Sequence, residues 1–470
     1  MKKWIHSACM IAILGLTQTG FAENFGSSSI QYFQEKAASQ RLPEAYIAFK
    51  NKEYAKALEI YKHFADIGNP TAQYMMGYLS QNGLGVPKDS LLASAWYIKA
   101  AGGGLSDAQF ALGMLYYYGV GVSQGISEAA KLFEQAAKNQ NHLAEYMLGY
   151  MYAMGYGLPA NPEQAVEWYT KAATGGVPEA QYNLGLLYFL GQNVKKDLNK
   201  ALTWFSLSAQ KGLPKAQFML GLMNSQALGT PADKNKAFYW YSEAAKNEKV
   251  PVAMYNLGIA YYNGIGTPPN LSTAFNWISK AALQSYPRAQ YVMGYFSFNG
   301  IGVQKSLEQA YEWYSKAAEQ GFAEAQFALG YLYHNGYGTQ KDDKIALAWF
   351  EAAARAGSQN AEYMVGLFYQ KGMGVPSDAH IAAEWYKKAA LQGMDNAQLL
   401  LGVMYAEGQG IPKDMKVAYA WLNLASTSSN SQIRESAIKL RDEIAKNMTP
   451  EDINSARGMS RMFYDKYATP

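Results

Sequence analysis

The stretch AQFALGYLYHNGYGTQKDDKIALAWFEAAARAG, residues 325–357, decides the fold, because variants of it recur along most of the chain. Ten copies follow one another at intervals of 36 residues, except for one interval of 37 that falls at the connection KNEKVP. A fixed period of this length predicts a solenoid built from small repeated units. The copies share a central glycine: Gly77, Gly113, Gly149, Gly185, Gly221, Gly258, Gly294, Gly330, Gly366 and Gly402.

The first half of each copy predicts a helix that ends in a glycine turn. In the second copy, apolar residues between 108 and 116 fall on one stripe at about 100° per residue, which is typical of a helix. Gly119 and Gly121 follow, and glycine suits the positive φ that a helix stop and a tight turn require. Elsewhere Asn193 and Ala227 each replace one member of this glycine pair.

The second half of each copy predicts another helix, which a short polar residue precedes in nine copies. The side-chain oxygen of such a residue can accept hydrogen bonds from the backbone N–H groups of the first turn. The exceptional copy has Gly125 there, so we expect its hairpin to be the least firmly held. The predicted capping residues are Asp89, Asn161, Asp197, Asp233, Asn270, Ser306, Asp342, Asp378 and Asp414.

A tryptophan lies in the second helix of nine copies, three residues after an alanine and four before a small residue. Small residues let two helices approach, and a large ring beside them fills the space. We therefore expect these rings to form the core, at up to about 5 kcal/mol each. The nine are Trp96, Trp168, Trp204, Trp240, Trp277, Trp313, Trp349, Trp385 and Trp421.

The repeated pattern is Ala-x-x-x-Leu-Gly-x-x-Tyr-x-x-Gly-x-Gly, then Asp, then Ala-x-x-Trp-Tyr-x-Lys-Ala-Ala. Over residues 72–429 it resembles the Sel-one-like repeat family, an offshoot of the tetratricopeptide superfamily. The resemblance implies antiparallel helical hairpins stacked into a right-handed superhelix that serves as a docking scaffold. We therefore expect an all-α solenoid of about eleven hairpins, ten of them in these repeats.

The segments before the repeats predict export and an atypical first hairpin. Residues 1–22 have two early lysines, an apolar stretch and the small-residue ending Gly-Phe-Ala, which is typical of a signal peptide cleaved after Ala22. An uncleaved anchor is the alternative, but the apolar stretch is shorter than a span of about 30 Å requires. Residues 23–42 predict a loose polar arm. Residues 43–71 predict a degenerate hairpin without the glycine turn.

After the repeats, residues 430–470 predict a helical cap over the end of the stack. Its two helices are expected at about 432–446 and 450–467, the second capped by Thr449. Binding of a partner by one of these charged helices is the alternative role.

Composition excludes several classes of function. The lone cysteine, Cys9, falls within the signal segment, so the mature chain has no disulfide. The formal net charge is +4, with both signs mixed along the helices, so nucleic acid is not expected as a partner. A second apolar span is absent from the sequence, and no membrane insertion is expected after signal removal. The predicted location is periplasmic or secreted, while the oligomeric state is left open.

An enzymatic site is not expected. Four histidines, His63, His142, His334 and His380, lack metal-ligand spacing, so no metal is predicted. The Gly-x-Gly turns follow helices rather than strands, which argues against a phosphate loop, and no cofactor is predicted. Cysteine-rich relatives in the family have been linked with β-lactams. The element Ser436-Ala-Ile-Lys439 therefore keeps one alternative open, a hydrolase acting on cell-wall peptide or β-lactam.

A binding surface is the function that the sequence favours. Residues three before, one after and four after the central glycine point away from the core stripe, and in the tetratricopeptide arrangement this face lines a concave groove. In copies six to eight these positions are rich in aromatic rings, which suits a protein or peptide partner. The alternative is that the rings three before the glycine merely pack on the next hairpin. The predicted binding residues are Tyr255, Tyr262, Tyr291, Tyr295, Phe298, Phe327, Tyr331 and His334. Envelope assembly, signalling and host contact all fit such a scaffold.

Overall fold

The computed structural model describes residues 42–468, and within them every regular element is an α-helix. The all-α prediction is therefore confirmed. The predicted signal segment, residues 1–22, lies outside the described residues, as does the predicted arm, residues 23–42, except for its last residue.

The chain divides into two compact units, one ending at Trp240 and the other beginning at Tyr241, within α12. The helices up to that boundary are α1 Pro43–Lys50, α2 Tyr54–Asp66, α3 Pro70–Asn82, α4 Ser90–Gly102, α5 Ser106–Tyr118, α6 Ile126–Lys138, α7 His142–Met154, α8 Pro162–Thr174, α9 Pro178–Leu190, α10 Leu198–Gln210, α11 Pro214–Ser225 and α12 Lys234–Ala245. The second unit continues with α13 Pro251–Asn263, α14 Leu271–Leu283, α15 Pro287–Asn299, α16 Leu307–Glu319, α17 Ala323–Asn335, α18 Asp343–Arg355, α19 Gln359–Lys371, α20 Ala379–Leu391, α21 Asp395–Glu407, α22 Met415–Ala425, α23 Ser431–Ala445 and α24 Pro450–Ala468.

Within each unit, the two helices of a repeat pack against each other as a hairpin, and each second helix also packs against the first helix of the next repeat. This arrangement confirms the predicted solenoid of stacked hairpins. Contacts of this kind join only neighbours, so stability is distributed along the chain.

Capping by short polar side chains holds the start of the second helices, as predicted. Asp342, for example, accepts from the backbone N–H groups of Lys344 and Ile345, each at 2.9 Å. All nine predicted capping residues accept such a bond. Gly125 has no side chain to do so.

The turn between the two helices has a left-handed backbone at both glycine positions. In repeat eight, Gly336 and Gly338 have φ of 70° and 67°. Asn193 and Ala227, which replace glycine in other repeats, both adopt φ of 56°. The turn geometry is therefore kept even where an L side chain makes it costly.

In nine of the ten repeats the central glycine of the first helix faces a large side chain of the second helix in its own hairpin. A Cβ placed on Gly330 would lie 2.8 Å from Cδ1 of Phe350, closer than packed carbon atoms approach. Only glycine at position 330 leaves room for the ring of Phe350. The side chains that face a central glycine in this way are Tyr97, Phe133, Tyr169, Phe205, Ile278, Tyr314, Phe350, Tyr386 and Leu422.

These core side chains stand one residue after the tryptophan position, so the prediction that the tryptophans form the core is wrong for eight of the nine. Only Trp421 among them is buried, with 2% of its surface exposed, and the others are half-buried. Trp204, for example, packs on a core cluster that extends from the preceding repeat, including Tyr169, to the first helix of its own repeat. In five copies a lysine three residues later covers the indole: Lys99, Lys171, Lys280, Lys316 and Lys388.

A glutamine four residues before the central glycine links neighbouring hairpins, a feature that the sequence did not reveal. The side-chain Nε2 of Gln326 donates to the backbone carbonyl of Ala318, 3.3 Å away in the last turn of α16. Equivalent bonds tie the start of one hairpin to the end of the previous one. They are made by Gln73, Gln181, Gln217, Gln290, Gln326 and Gln398.

The last two helices, α23 and α24, pack on α22 at the end of the second unit. The ring of Phe463 in α24 stacks on Trp421, with centroids 4.3 Å apart and ring planes 11° from parallel. Thr449 accepts from the backbone N–H of Asp452 at 3.1 Å, as predicted for its capping role. This stack explains why Trp421 alone of the nine is fully buried.

Candidate functional site

The predicted binding residues lie on the first helices of repeats six, seven and eight, which are α13, α15 and α17 of the second unit. The rings three before the glycine are half-buried. Tyr291 contacts Tyr314 of its own hairpin at 5.5 Å between centroids and Phe322, where the next hairpin begins, at 5.6 Å. Tyr255 contacts Tyr286 in the same way at 5.5 Å. These rings therefore contribute to packing within and between hairpins.

Phe327, the third ring of this set, is also half-buried and lies 5.4 Å from Phe350. In the first unit four of the five equivalent rings are buried, as Tyr74 and Tyr146 show with 5% and 1% exposure, and Phe218 is half-buried. The second unit therefore leaves more of this aromatic row accessible than the first.

The side chains four after the glycine reach the next hairpin. The ring of Tyr262 lies 5.3 Å from Phe296, and the ring of His334 lies 5.1 Å from Phe368. The Nδ1 atom of His334 is also 2.6 Å from Oδ1 of Asp343, which fixes the imidazole. These contacts leave only part of each side chain open to a partner.

Phe298, the remaining member of that set, lies 5.9 Å from Tyr337, whose ring is 6.0 Å from Tyr331. Tyr337 stands between the two turn glycines of repeat eight. The structure thus brings a residue into this aromatic surface that the sequence analysis did not include.

The tyrosines one after the glycine are the most open of the predicted residues. Tyr295 and Tyr331 occupy equivalent positions in adjacent repeats, and each is 42% exposed. In the other eight copies the residue at this position is half-buried or buried. These two side chains therefore distinguish repeats seven and eight from the rest.

Charged groups of both signs border this surface. Burial raises the pKa of Tyr291, and the nearby Glu324 carboxylate raises it further. Burial also raises the pKa of Tyr255, whereas the Arg288 guanidinium opposes the rise. The hydroxyls of Tyr291 and Tyr255 therefore stay protonated at neutral pH and can donate hydrogen bonds. The candidate surface therefore combines apolar rings with neutral donors and shows no single dominant charge.

A family model for the Sel1 repeat matches the chain ten times, over residues 70–105, 106–141, 142–177, 178–213, 214–248, 251–286, 287–322, 323–358, 359–394 and 395–430. The chain belongs to the Sel1 repeat family. This confirms the resemblance found in the sequence. Sel1 repeat solenoids typically serve as non-enzymatic scaffolds for protein interactions, and this chain has the same stacked hairpins.

Two solved structures illustrate the relationship. A protective antigen present in uropathogenic Escherichia coli strains, displaying an SLR fold, is 32% identical to this chain. That match covers 93% of this chain and 95% of the other, with a TM-score of 0.81. A Sel1 repeat protein from Oxalobacter formigenes is 34% identical, covering 66% of this chain and 90% of the other, with a TM-score of 0.53. No curated protein matches the chain at a significant level.

Two further surfaces of the Sel1 repeats were missed by the sequence analysis. In the first unit, the rings of Tyr117 and Tyr156 lie 5.6 Å apart across repeats two and three. On α4, Leu91 and Ile98 are 72% and 48% exposed, although all nine other copies have polar residues at these two positions. An apolar residue at a position that is polar in every other copy is the sequence signal that would have identified this second surface.

The residues considered for chemistry are separated along the solenoid. Ser436 is half-buried and Lys439 is exposed on α23, and no hydrogen bond joins them in the described part of the chain. His380 lies one repeat after His334, and its Nδ1 contacts the carbonyl oxygen of Gly410 at 3.0 Å. Within residues 42–468, no three acidic, histidine or cysteine side chains are grouped as metal ligands would be. The described helices also include none that is both long and apolar enough to cross a membrane.

Proposed function

We propose that this Sel1 repeat protein is an exported scaffold that binds a protein or peptide segment across the first helices of repeats seven and eight. The observation that carries the proposal is the exposure of Tyr295 and Tyr331 at equivalent positions of adjacent repeats. Tyrosine offers a large apolar area and a hydroxyl at low entropic cost, which is why it is frequent at binding surfaces.

The surroundings of these tyrosines favour an extended segment or a partner helix with apolar side chains. Half-buried rings, including Tyr291, Phe298 and Tyr337, extend the apolar area on either side. Exposed rings surrounded by packed ones resemble the central anchors of protein interfaces, whose neighbours exclude water. Because Arg288 and Glu324 carry opposite charges, a strongly charged polymer would gain little at this surface.

Replacing both tyrosines, Tyr295→Ala with Tyr331→Ala, is expected to weaken binding of the natural partner at least about tenfold, or ~1.4 kcal/mol. The partner is first recovered by crosslinking in intact cells with the unaltered protein, and its affinity is then measured for each purified variant. The melting temperature should change little, because both side chains are already substantially exposed.

Tyr239→Ala provides the matched control, since this tyrosine is 54% exposed on α12, a second helix. It removes the same chemical group from another face and should leave affinity unchanged. Equal affinity of the double variant and the unaltered protein would place the site elsewhere. A large fall in melting temperature would assign Tyr295 and Tyr331 to the packed interior instead.

Export is the second part of the proposal, supported by the order of charged, apolar and small residues in segment 1–22. Mass spectrometry of protein from separated cell fractions should find Glu23 as the first residue, in periplasmic or secreted material. Intact Met1 in cytosolic material would contradict export.

A further inference from the structure

Four repeats carry the dipeptide Asn-Gly at the same place, where the first helix ends and the turn begins. The asparagine is the last helical residue and is exposed, and the glycine follows with a left-handed backbone. Three of these repeats are consecutive and carry the candidate binding surface. The asparagines are Asn82, Asn263, Asn299 and Asn335.

Asparagine followed by glycine is prone to a spontaneous reaction, because glycine has no side chain to hinder attack by its backbone nitrogen. That nitrogen bonds to the asparagine Cγ, the Cγ–NH₂ bond breaks, and ammonia leaves with the proton of the backbone N–H. Water then opens the five-membered imide to aspartate or isoaspartate. The reaction needs only water, but the glycine nitrogen must be free to reach Cγ.

In the folded chain the last helical turn opposes this attack. The backbone N–H of Gly300 donates to the carbonyl of Phe296, and the side-chain Nδ2 of Asn299 donates to the carbonyl of Tyr295 at 2.9 Å. Repeat eight has the same two bonds, including one from Asn335 to the carbonyl of Tyr331 at 2.8 Å. Both bonds must break before the ring can form, so the reaction has to proceed through local opening of the turn.

We propose that Asn299 and Asn335 are sites of spontaneous deamidation whose rate is set by opening of the last turn of α15 and α17. The product carboxylate cannot donate to the tyrosine carbonyl, and it places a negative charge at a helix C-terminus, where the helix dipole disfavours it. Deamidation therefore loosens this turn irreversibly and adds charge beside Tyr295 and Tyr331. The modification itself does not depend on whether that surface binds a partner.

The test compares conversion of each Asn-Gly site by peptide mass spectrometry, after storage of the whole protein in mildly alkaline buffer with and without urea. Conversion of Asn299 and Asn335 is expected in both, at least about tenfold more slowly in the folded protein. Equal rates with and without urea would overturn the proposal, and so would no conversion in urea.

A variant that loosens one turn sharpens the test without altering either dipeptide. A Cβ on Gly302 would lie 2.6 Å from the carbonyl oxygen of Leu271 while φ is 69°, so Gly302→Ala strains the turn after Asn299. It should accelerate conversion of Asn299 in the folded protein at least about threefold and leave Asn335 unchanged. Unchanged conversion of Asn299 would contradict control by local opening. If the variant unfolds, conversion will be faster at both asparagines. The proposal is then tested by the comparison of the unaltered protein with and without urea.

Discussion

Phe350→Ala is expected to lower the free energy of unfolding around repeat eight by about 3–5 kcal/mol. The ring is fully buried, faces Gly330 and also contacts Phe368 of the next repeat at 5.3 Å between centroids. Its removal leaves a cavity that the glycine opposite cannot fill. Hydrogen exchange should rise mainly in the hairpins of repeats eight and nine, because solenoid repeats contact their neighbours.

Trp349→Ala is the matched control, since it removes a larger ring from the adjacent position. Because Trp349 is only half-buried, this variant should cost clearly less than Phe350→Ala. The same holds for Trp313→Ala, whose ring is half-buried under Lys316. A larger loss of stability from Trp349→Ala than from Phe350→Ala would show that tryptophan carries the core after all.

Gly338→Ala is expected to destabilise the chain by roughly 2–5 kcal/mol, from two causes that add. The left-handed φ of 67° costs an L side chain about 1–2 kcal/mol. In addition, the new methyl group would overlap the carbonyl of Leu307 in the preceding repeat, which adds about 1–3 kcal/mol of overpacking.

Gly357→Ala separates these causes, because it has a φ of 87° but no atom within 4 Å of the added Cβ. It should show only the backbone cost of about 1–2 kcal/mol. Denaturant unfolding of both purified variants, with hydrogen exchange to locate the change, makes the comparison. Equal losses for the two variants would remove the steric part of the explanation.

The architecture was predictable because ten copies repeat the same local signals. Capping residues such as Asp342 act through backbone groups within one turn, so their role can be read without knowing any tertiary contact. The central glycine was also recognised, although its reason was not. That reason lies in the side chain of Phe350, twenty residues away, and requires the geometry of the hairpin.

Neighbouring residues with similar side chains were harder to assign. Trp349 and Phe350 are both aromatic in the same helix, and a pattern of copies cannot tell which one faces the glycine. In the same way, Tyr291 and Tyr295 lie one turn apart on α15, yet only Tyr295 is left open by the next hairpin. Such differences depend on how hairpins stack. These differences in exposure explain why only two of the eight predicted binding residues, Tyr295 and Tyr331, are exposed.

The second turn glycine has a consequence for how this molecule can change in length. Gly338 of repeat eight packs against the backbone of Leu307, at the start of the second helix of repeat seven. Gly374 of repeat nine packs in the same way against the backbone of Asp343 in repeat eight. The second turn glycines of repeats two, three, five, seven and ten make the same fit, so these junctions present the same pair of complementary surfaces. When a whole number of repeats is deleted or duplicated, the new neighbouring repeats still have matching surfaces. When part of a repeat is deleted or duplicated, a glycine turn faces a helix that has no room for it. We therefore expect insertions and deletions in the repeat region to preserve the fold only when they comprise complete repeats.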